Sequence, residues 1–213
     1  MADEERTHWQ CWHDDYADPS SALARRLAVV QARLRTAIAS SPPGPITLIS
    51  ACAGEGRDVV GVLDGHPRAP DISGRLVELD PGNADRARGL IDAAGLTGIE
   101  VVTADAGYIQ AYVGAAPADI VLLCGIFGNI ADSDVERTVR NASQLCASRA
   151  TLIWTRGRRA PDLTPAIRRW FDESDFAEIA FDSGGPGSFG VGTQRFLGDP
   201  PPLELSLRLF SFD

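Results

Sequence analysis

Five short apolar runs alternate along the chain with stretches of helical periodicity, and this alternation limits the possible folds more than any other feature. The runs are Ile46 to Ser50, Arg75 to Leu79, Ile99 to Thr103, Ile120 to Cys124 and Thr151 to Thr155. Helical patterns fall between them near 57 to 64, 83 to 94, 107 to 113 and 132 to 147. Strands separated by crossover helices form a parallel sheet covered on both faces, so an α/β, doubly wound architecture is predicted. A further helix is predicted from Leu163 to Phe171 and a sixth strand from Phe176 to Phe181. Gly184-Gly-Pro-Gly then reads as a mobile loop, and Phe189 to Phe196 as the start of a hairpin. The tail Leu203-Glu-Leu-Ser-Leu-Arg-Leu alternates strictly and reads as a half-exposed, antiparallel seventh strand.

Ahead of the first run, Leu23, Leu27, Val30, Leu34 and Ile38 recur at steps of four and three, one face of an amphipathic helix. Ser20 or Ser21 is its expected N-cap, with Pro19 fixing the entry. Ser40-Ser-Pro-Pro-Gly-Pro45 ends it. The expected organisation is an N-terminal helical extension or lid over residues 1–41 and a main domain over 42–213.

Composition narrows the chemistry. The formal charge is −9, from 29 acidic and 20 basic residues, which opposes nonspecific attraction to phosphate backbones or anionic lipid. Nucleic acid and membrane are therefore not expected partners. Every basic residue is Arg and none is Lys, so a lysine Schiff base and a P-loop lysine are both excluded. Four cysteines, Cys11, Cys52, Cys124 and Cys146, form no CxxC pair, and no basic, apolar leader opens the chain. The expectation is a reduced, cytoplasmic protein without a metal site.

The segment carrying most chemical information is Ile46-Thr-Leu-Ile-Ser-Ala-Cys-Ala-Gly-Glu-Gly-Arg-Asp58: strand, small-residue loop, helix. Such a loop brings backbone N–H groups close to a ligand at a helix N-terminus, although alone it also reads as a tight turn. The dinucleotide fingerprint needs a third glycine three residues after Gly56, where Val59 stands, which disfavours a nicotinamide or flavin cofactor. Glu78 ends the next strand 22 residues beyond Gly56, where a carboxylate accepts both hydroxyls of a ribose. Taken alone, Glu78 also reads as a solvated strand-end carboxylate, and Asp105 as a helix cap.

Three further runs make the set specific. Val77-Glu-Leu-Asp-Pro-Gly-Asn-Ala-Asp-Arg-Ala-Arg88, Ile99-Glu-Val-Val-Thr-Ala-Asp-Ala106 and Ala118-Asp-Ile-Val-Leu-Leu-Cys-Gly-Ile-Phe-Gly-Asn129 follow in that order. With the glycine loop, they resemble the successive motifs of class I, Rossmann-like, S-adenosylmethionine-dependent methyltransferases over residues 46 to 155. The resemblance implies a mostly parallel seven-stranded sheet with an antiparallel C-terminal strand, S-adenosylmethionine as cofactor and S-adenosylhomocysteine as product. It also implies cofactor contacts from Ala53, Gly54, Gly56, Glu78, Leu79, Asp105, Ala106, Cys124 and Gly125. Asp105 would meet the adenine amino group and the backbone of Ala106 the adenine ring. The first motif departs from the family pattern, since Ser50 and Cys52 stand where an acid and a glycine are usual.

Methyl transfer is an in-line displacement, so the protein has mainly to hold the acceptor and exclude water. His8 and His13 are candidate bases, and Tyr16 and Asn129 candidate positioning groups. Trp9, Trp12, His13 and Tyr16 cluster into an aromatic segment that reads either as a lid over the site or as packing of the extension. Arg156, Arg158 and Arg159 follow the fifth strand, either as an exposed basic loop or as an attractor of an anionic substrate. The function expected is methyl transfer to a small molecule or peptide. A cofactor-binding module without activity and a nucleotide-dependent oxidoreductase are the competing classes.

Overall fold

The computed structural model describes residues 18, 20–184 and 188–212. The expected roles of His8, Trp9, Trp12, His13, Tyr16 and Pro19, and the loop at 185–187, lie outside these residues.

Helix α1 (Ala22–Ser40) opens on Ser21, whose Oγ accepts the N–H of Ala24 at 2.9 Å. There follow β1 (Ile46–Ala51), α2 (Arg57–Leu63), β2 (Ile72–Glu78), α3 (Pro81–Ala93), β3 (Ile99–Thr103), β4 (Ala118–Leu123), α4 (Asp132–Asn141), β5 (Cys146–Gly157), α5 (Thr164–Asp172), β6 (Phe176–Ser183) and β7 (Phe189–Phe196). The strands form one seven-stranded sheet in the order β3-β2-β1-β4-β5-β7-β6. β1 pairs in parallel with β2 and β4, at the point where the strand order reverses. Ligands bind at such switch points, beyond the carboxyl ends of the strands.

The sequence forms this sheet because its central strands are apolar at successive positions and therefore buried on both faces. Ile49, Leu123 and Trp154 point into one core with α4, α5 and the C-terminal tail, while Leu48, Leu122 and Ile153 point into another beneath α1, α2 and α3. Trp154 anchors the first core, with ring centroids 6.0 Å from Phe127, 5.9 Å from Phe171 and 5.9 Å from Phe181.

Two expectations are corrected. The segment 107 to 113 forms only a 3₁₀ turn at Ile109–Tyr112, with the N–H groups of Ile109 and Gly107 donating to Leu207 O and Asp105 Oδ1. The antiparallel strand is β7, which pairs with both β5 and β6, and the tail at 203–209 is no strand. The glycines of β7 explain this: a Cβ on Gly192 would lie 2.2 Å from the indole of Trp154, so that position admits only glycine and lets the strand close onto β5. The tail instead crosses the first core. Leu209 and Phe210 are fully buried there, and the Leu209 N–H donates to Gly107 O while its carbonyl accepts from Thr138 Oγ1. Its alternation records one face laid on a core, with a single antiparallel bridge, Arg208 to Tyr108, in place of a strand.

Candidate functional site

At the carboxyl edge of β1, β2, β3 and β4 lies a cavity of about 310 Å³. Its floor is the loop between β1 and α2. That loop turns through left-handed backbone at Cys52 (φ 52°), Gly54 (φ 57°) and Gly56 (φ 71°). A Cβ on Gly56 would stand 2.8 Å from Leu76 Cδ2, so glycine is required for the helix to start so close to β2.

Glu78, 8% exposed, holds this loop from the tip of β2. Its Oε2 accepts the N–H of Gly54 at 2.7 Å, and its Oε1 the N–H of Asp80 at 2.9 Å. Burial pushes its carboxyl above the usual value, against the lowering effect of these donors. Asp80 caps α3 through the N–H of Asn83. At the tip of β3, Asp105 Oδ1 accepts from Gly107 N–H at 2.8 Å, and its Oδ2 lies 3.3 Å from Arg208 Nη2. The Arg208 guanidinium also sits over the Tyr108 ring, 4.7 Å from its centroid, so the tail is fastened beside the cavity. Burial, then the charges of Glu78 and Asp105, push the Cys52 thiol well up.

Of the residues expected at the cofactor, Ala53, Gly54, Glu78, Leu79, Asp105, Ala106, Cys124 and Gly125 line this one cavity. Gly56 lies behind the wall, shaping the turn. Asn129 does not line the cavity, but its Nδ2 donates to the carbonyl of the lining residue Gly125 at 2.7 Å, within the loop after β4. Arg156 and Arg158 pair with Asp132 and Asp162, at 3.3 and 2.9 Å, and do not line the cavity.

Sequence reasoning missed Arg26, Leu27 and Val30 on α1, Glu55, Arg57 and Asp58 around the start of α2, Asn83, and Phe212 of the tail. The helical periodicity of α1 contained part of the signal, since Leu27 and Val30 belong to its apolar stripe. Glu55 is clasped by Arg57 and Arg86, at 2.7 and 2.9 Å. Asp58 is 8% exposed, and burial pushes its carboxyl up to about 6. The lining thus holds five carboxyl groups (Glu55, Asp58, Glu78, Asp80, Asp105) and two guanidinium groups (Arg26, Arg57), while Arg86 and Arg208 pair with Glu55 and Asp105 from beside it. Among the described residues, no group of three His, Cys, Asp or Glu side chains gathers to hold a metal ion, and no helix is long and apolar enough to cross a membrane.

No family model matches the sequence, and no curated protein matches it. Solved structures do match. An O-methyltransferase family protein from Burkholderia thailandensis superposes with a TM-score of 0.68 at 18% identity over 89% of this chain, which spans 60% of that longer protein. Magnesium protoporphyrin IX methyltransferase from Synechocystis PCC 6803 with bound SAM gives 0.64 at 12% identity, over 91% of this chain and 86% of that one. The Burkholderia thailandensis 1,6-didemethyltoxoflavin-N1-methyltransferase, with bound 1,6-didemethyltoxoflavin and S-adenosylhomocysteine, gives 0.63 at 15% identity, over 89% and 84%. At these identities the likeness is one of fold: the chain has the Rossmann-like fold of class I methyltransferases.

Proposed function

We propose that this chain binds S-adenosylmethionine in the cavity above β1 to β4 and transfers its methyl group to a small-molecule acceptor. The observation that carries this reading is the meeting of the glycine loop, Glu78 and Asp105 on one cavity wall at the switch point of the sheet. Glu78 would receive the ribose hydroxyls, Asp105 the adenine amine, and the exposed Leu79 a face of the adenine ring. S-adenosylmethionine supplies an electrophilic methyl group on a sulfonium, and the acidic lining suits that positive charge. Leu27 and Val30 of α1, with Phe212 of the tail, provide apolar walls that exclude water and hold an acceptor. The bound small substrate of the toxoflavin N1-methyltransferase supports the acceptor class.

Titration calorimetry of the full chain with S-adenosylhomocysteine and with NAD tests the reading. Binding of the first and silence of the second are expected. Failure to bind S-adenosylhomocysteine overturns it. Binding without S-adenosylhomocysteine release, across a panel of small hydroxy, amino and carbon acids supplied with S-adenosylmethionine, would reduce the chain to a cofactor-binding module.

A further inference from the structure

The amino edge of the sheet, opposite the cavity, carries a pair of cations. Arg195 stands near the end of β7, on the face where Phe189 and Val191 enter the core beneath α1 and Thr193 is buried. It is half-buried. Its Nη1 donates to the carbonyl of Arg149 at 2.6 Å, and Arg149 belongs to a bulge in β5, where Asp119 of β4 stands opposite residues 147–150. The bulge puts Arg149 in left-handed backbone (φ 65°) with its side chain exposed, two residues before Thr151, the register partner of Arg195. Burial and then the positive charge of Arg149 hold the Arg195 guanidinium below its usual value.

Elsewhere in the fold a guanidinium withdrawn from water meets a carboxylate. Arg33, Arg68, Arg75, Arg137, Arg156 and Arg158 are also half-buried, and each lies between 2.6 and 3.3 Å from a carboxylate oxygen. Neither Arg195 nor Arg149 has such a partner among the described residues, and the charge acting on Arg195 is of its own sign. Two adjacent like charges, one partly desolvated, cost free energy until an anion neutralises them. A phosphate group is matched to that task, since it carries up to two negative charges and accepts the forked N–H donors of guanidinium groups. On a chain of net charge −9 this is a local exception, and it draws an anion to one edge.

We propose that Arg149 and Arg195 form an anion site at the amino edge of the sheet, which binds the phosphate group of a small phosphorylated metabolite. The site lies at the opposite edge from the cavity and does not rest on the cofactor reading above.

The test titrates inorganic phosphate and methyl phosphate into the full chain by calorimetry at neutral pH. Sodium chloride holds the ionic strength constant, because screening alone changes any anion's affinity. Both probes should bind at one site per chain, and Arg149→Gln and Arg195→Gln should each weaken both roughly tenfold or more, the effect of losing a hydrogen bond to a charged group. Arg159→Gln removes an exposed arginine after the other end of β5, and should leave both affinities within about threefold. A cooperative melting transition shows that each variant is folded. Should Arg195→Gln fail to fold, the exposed Arg149 carries the test. Four results overturn the site: no saturation by about 10 mM phosphate, equal affinity in all three variants, equal loss in all three, or loss of phosphate binding in excess S-adenosylhomocysteine. Binding of inorganic phosphate without methyl phosphate would mean an adventitious ion only, and overturns the metabolite assignment. The cofactor reading stands or falls separately, on S-adenosylhomocysteine binding.

Discussion

The Oε2 atom of Glu78 accepts the backbone N–H of Gly54 across 2.7 Å, so the tip of β2 fixes the shape of the loop that ends β1. Glu78 therefore has two tasks, holding the loop and facing the cavity. A carboxylate serves both because each oxygen accepts more than one bond. Glu78→Ala should weaken S-adenosylhomocysteine by roughly 1.5–3 kcal/mol, the range for hydrogen bonds to a charged group. Glu78→Gln, which keeps one acceptor oxygen, should lose less. Calorimetry showing unchanged affinity in both variants removes Glu78 from the site.

Asp105 is engaged from the tail by Arg208 and from its own turn by Gly107. The pair is partly exposed, so its contribution to stability is small and screened by salt. If Asp105 also accepts from the adenine amine, the unmodified chain should discriminate against an S-adenosylhomocysteine analogue lacking that amine. Asp105→Ala should bind both ligands alike, since no buried acceptor is left unpaired in the variant. Equal discrimination in the two proteins would place the adenine contact elsewhere.

Much of this arrangement was legible in the sequence, for a physical reason. Glycine spacing, a strand-end acid and two-faced apolar runs are local signals, and the parallel sheet turns them into one edge. The ends of α1 and β2, the cap at Ser21 and the placement of Glu78 follow from such signals. Arg26 and Asp58 were not legible, because a charged residue on an amphipathic helix looks the same whether it faces water or a cavity. Phe189 to Phe196 was legible as part of a hairpin, but its second pairing, with β5, was not, because that pairing is set by Trp154 packing on Gly192, a contact between distant segments. The 203–209 alternation was misread since a chain laid on a core shows the same period as a strand.

Burial of Asp58 makes stability depend on pH. Its carboxyl is pushed up to about 6 by burial, above the value near 3.9 of an unfolded aspartate. A raised folded value means the stabilising contribution is complete below the unfolded value and lost as pH rises through the folded one. Asp58→Asn cannot ionise, so its stability relative to the unmodified chain should improve between about pH 4 and 7, by roughly 2–3 kcal/mol at most. Glu78 shifts in the same direction and is present in both proteins, so it cancels in the difference. Urea titrations of both proteins across this range check the sign. A stability difference that does not change with pH would show that Asp58 is not desolvated.

Helix α1 decides whether the first 41 residues can be removed. Leu34 and Ile38 are fully buried and Val30 nearly so, in the same core as Leu48, Leu76 and Leu122 of the sheet. Arg33 adds a two-pronged contact to Asp182 of β6, with both bonds at 2.6 Å, and Arg68 reaches back to the carbonyls of Ile38 and Ser41. Burial of side chains such as Val30, Leu34 and Ile38 contributes roughly 1.5–3 kcal/mol each. Their sum approaches the whole stability of an ordinary domain, about 5–15 kcal/mol. A chain beginning at Pro42 would also bare the α2 and sheet residues that α1 covers. It should therefore unfold or aggregate, losing its cooperative thermal transition by circular dichroism. The single substitution Leu34→Ala should cost about 2–5 kcal/mol and lower the melting temperature while the chain still folds. A cooperative transition in the shortened chain, with S-adenosylhomocysteine affinity unchanged, would show that α1 is an accessory to a self-sufficient sheet.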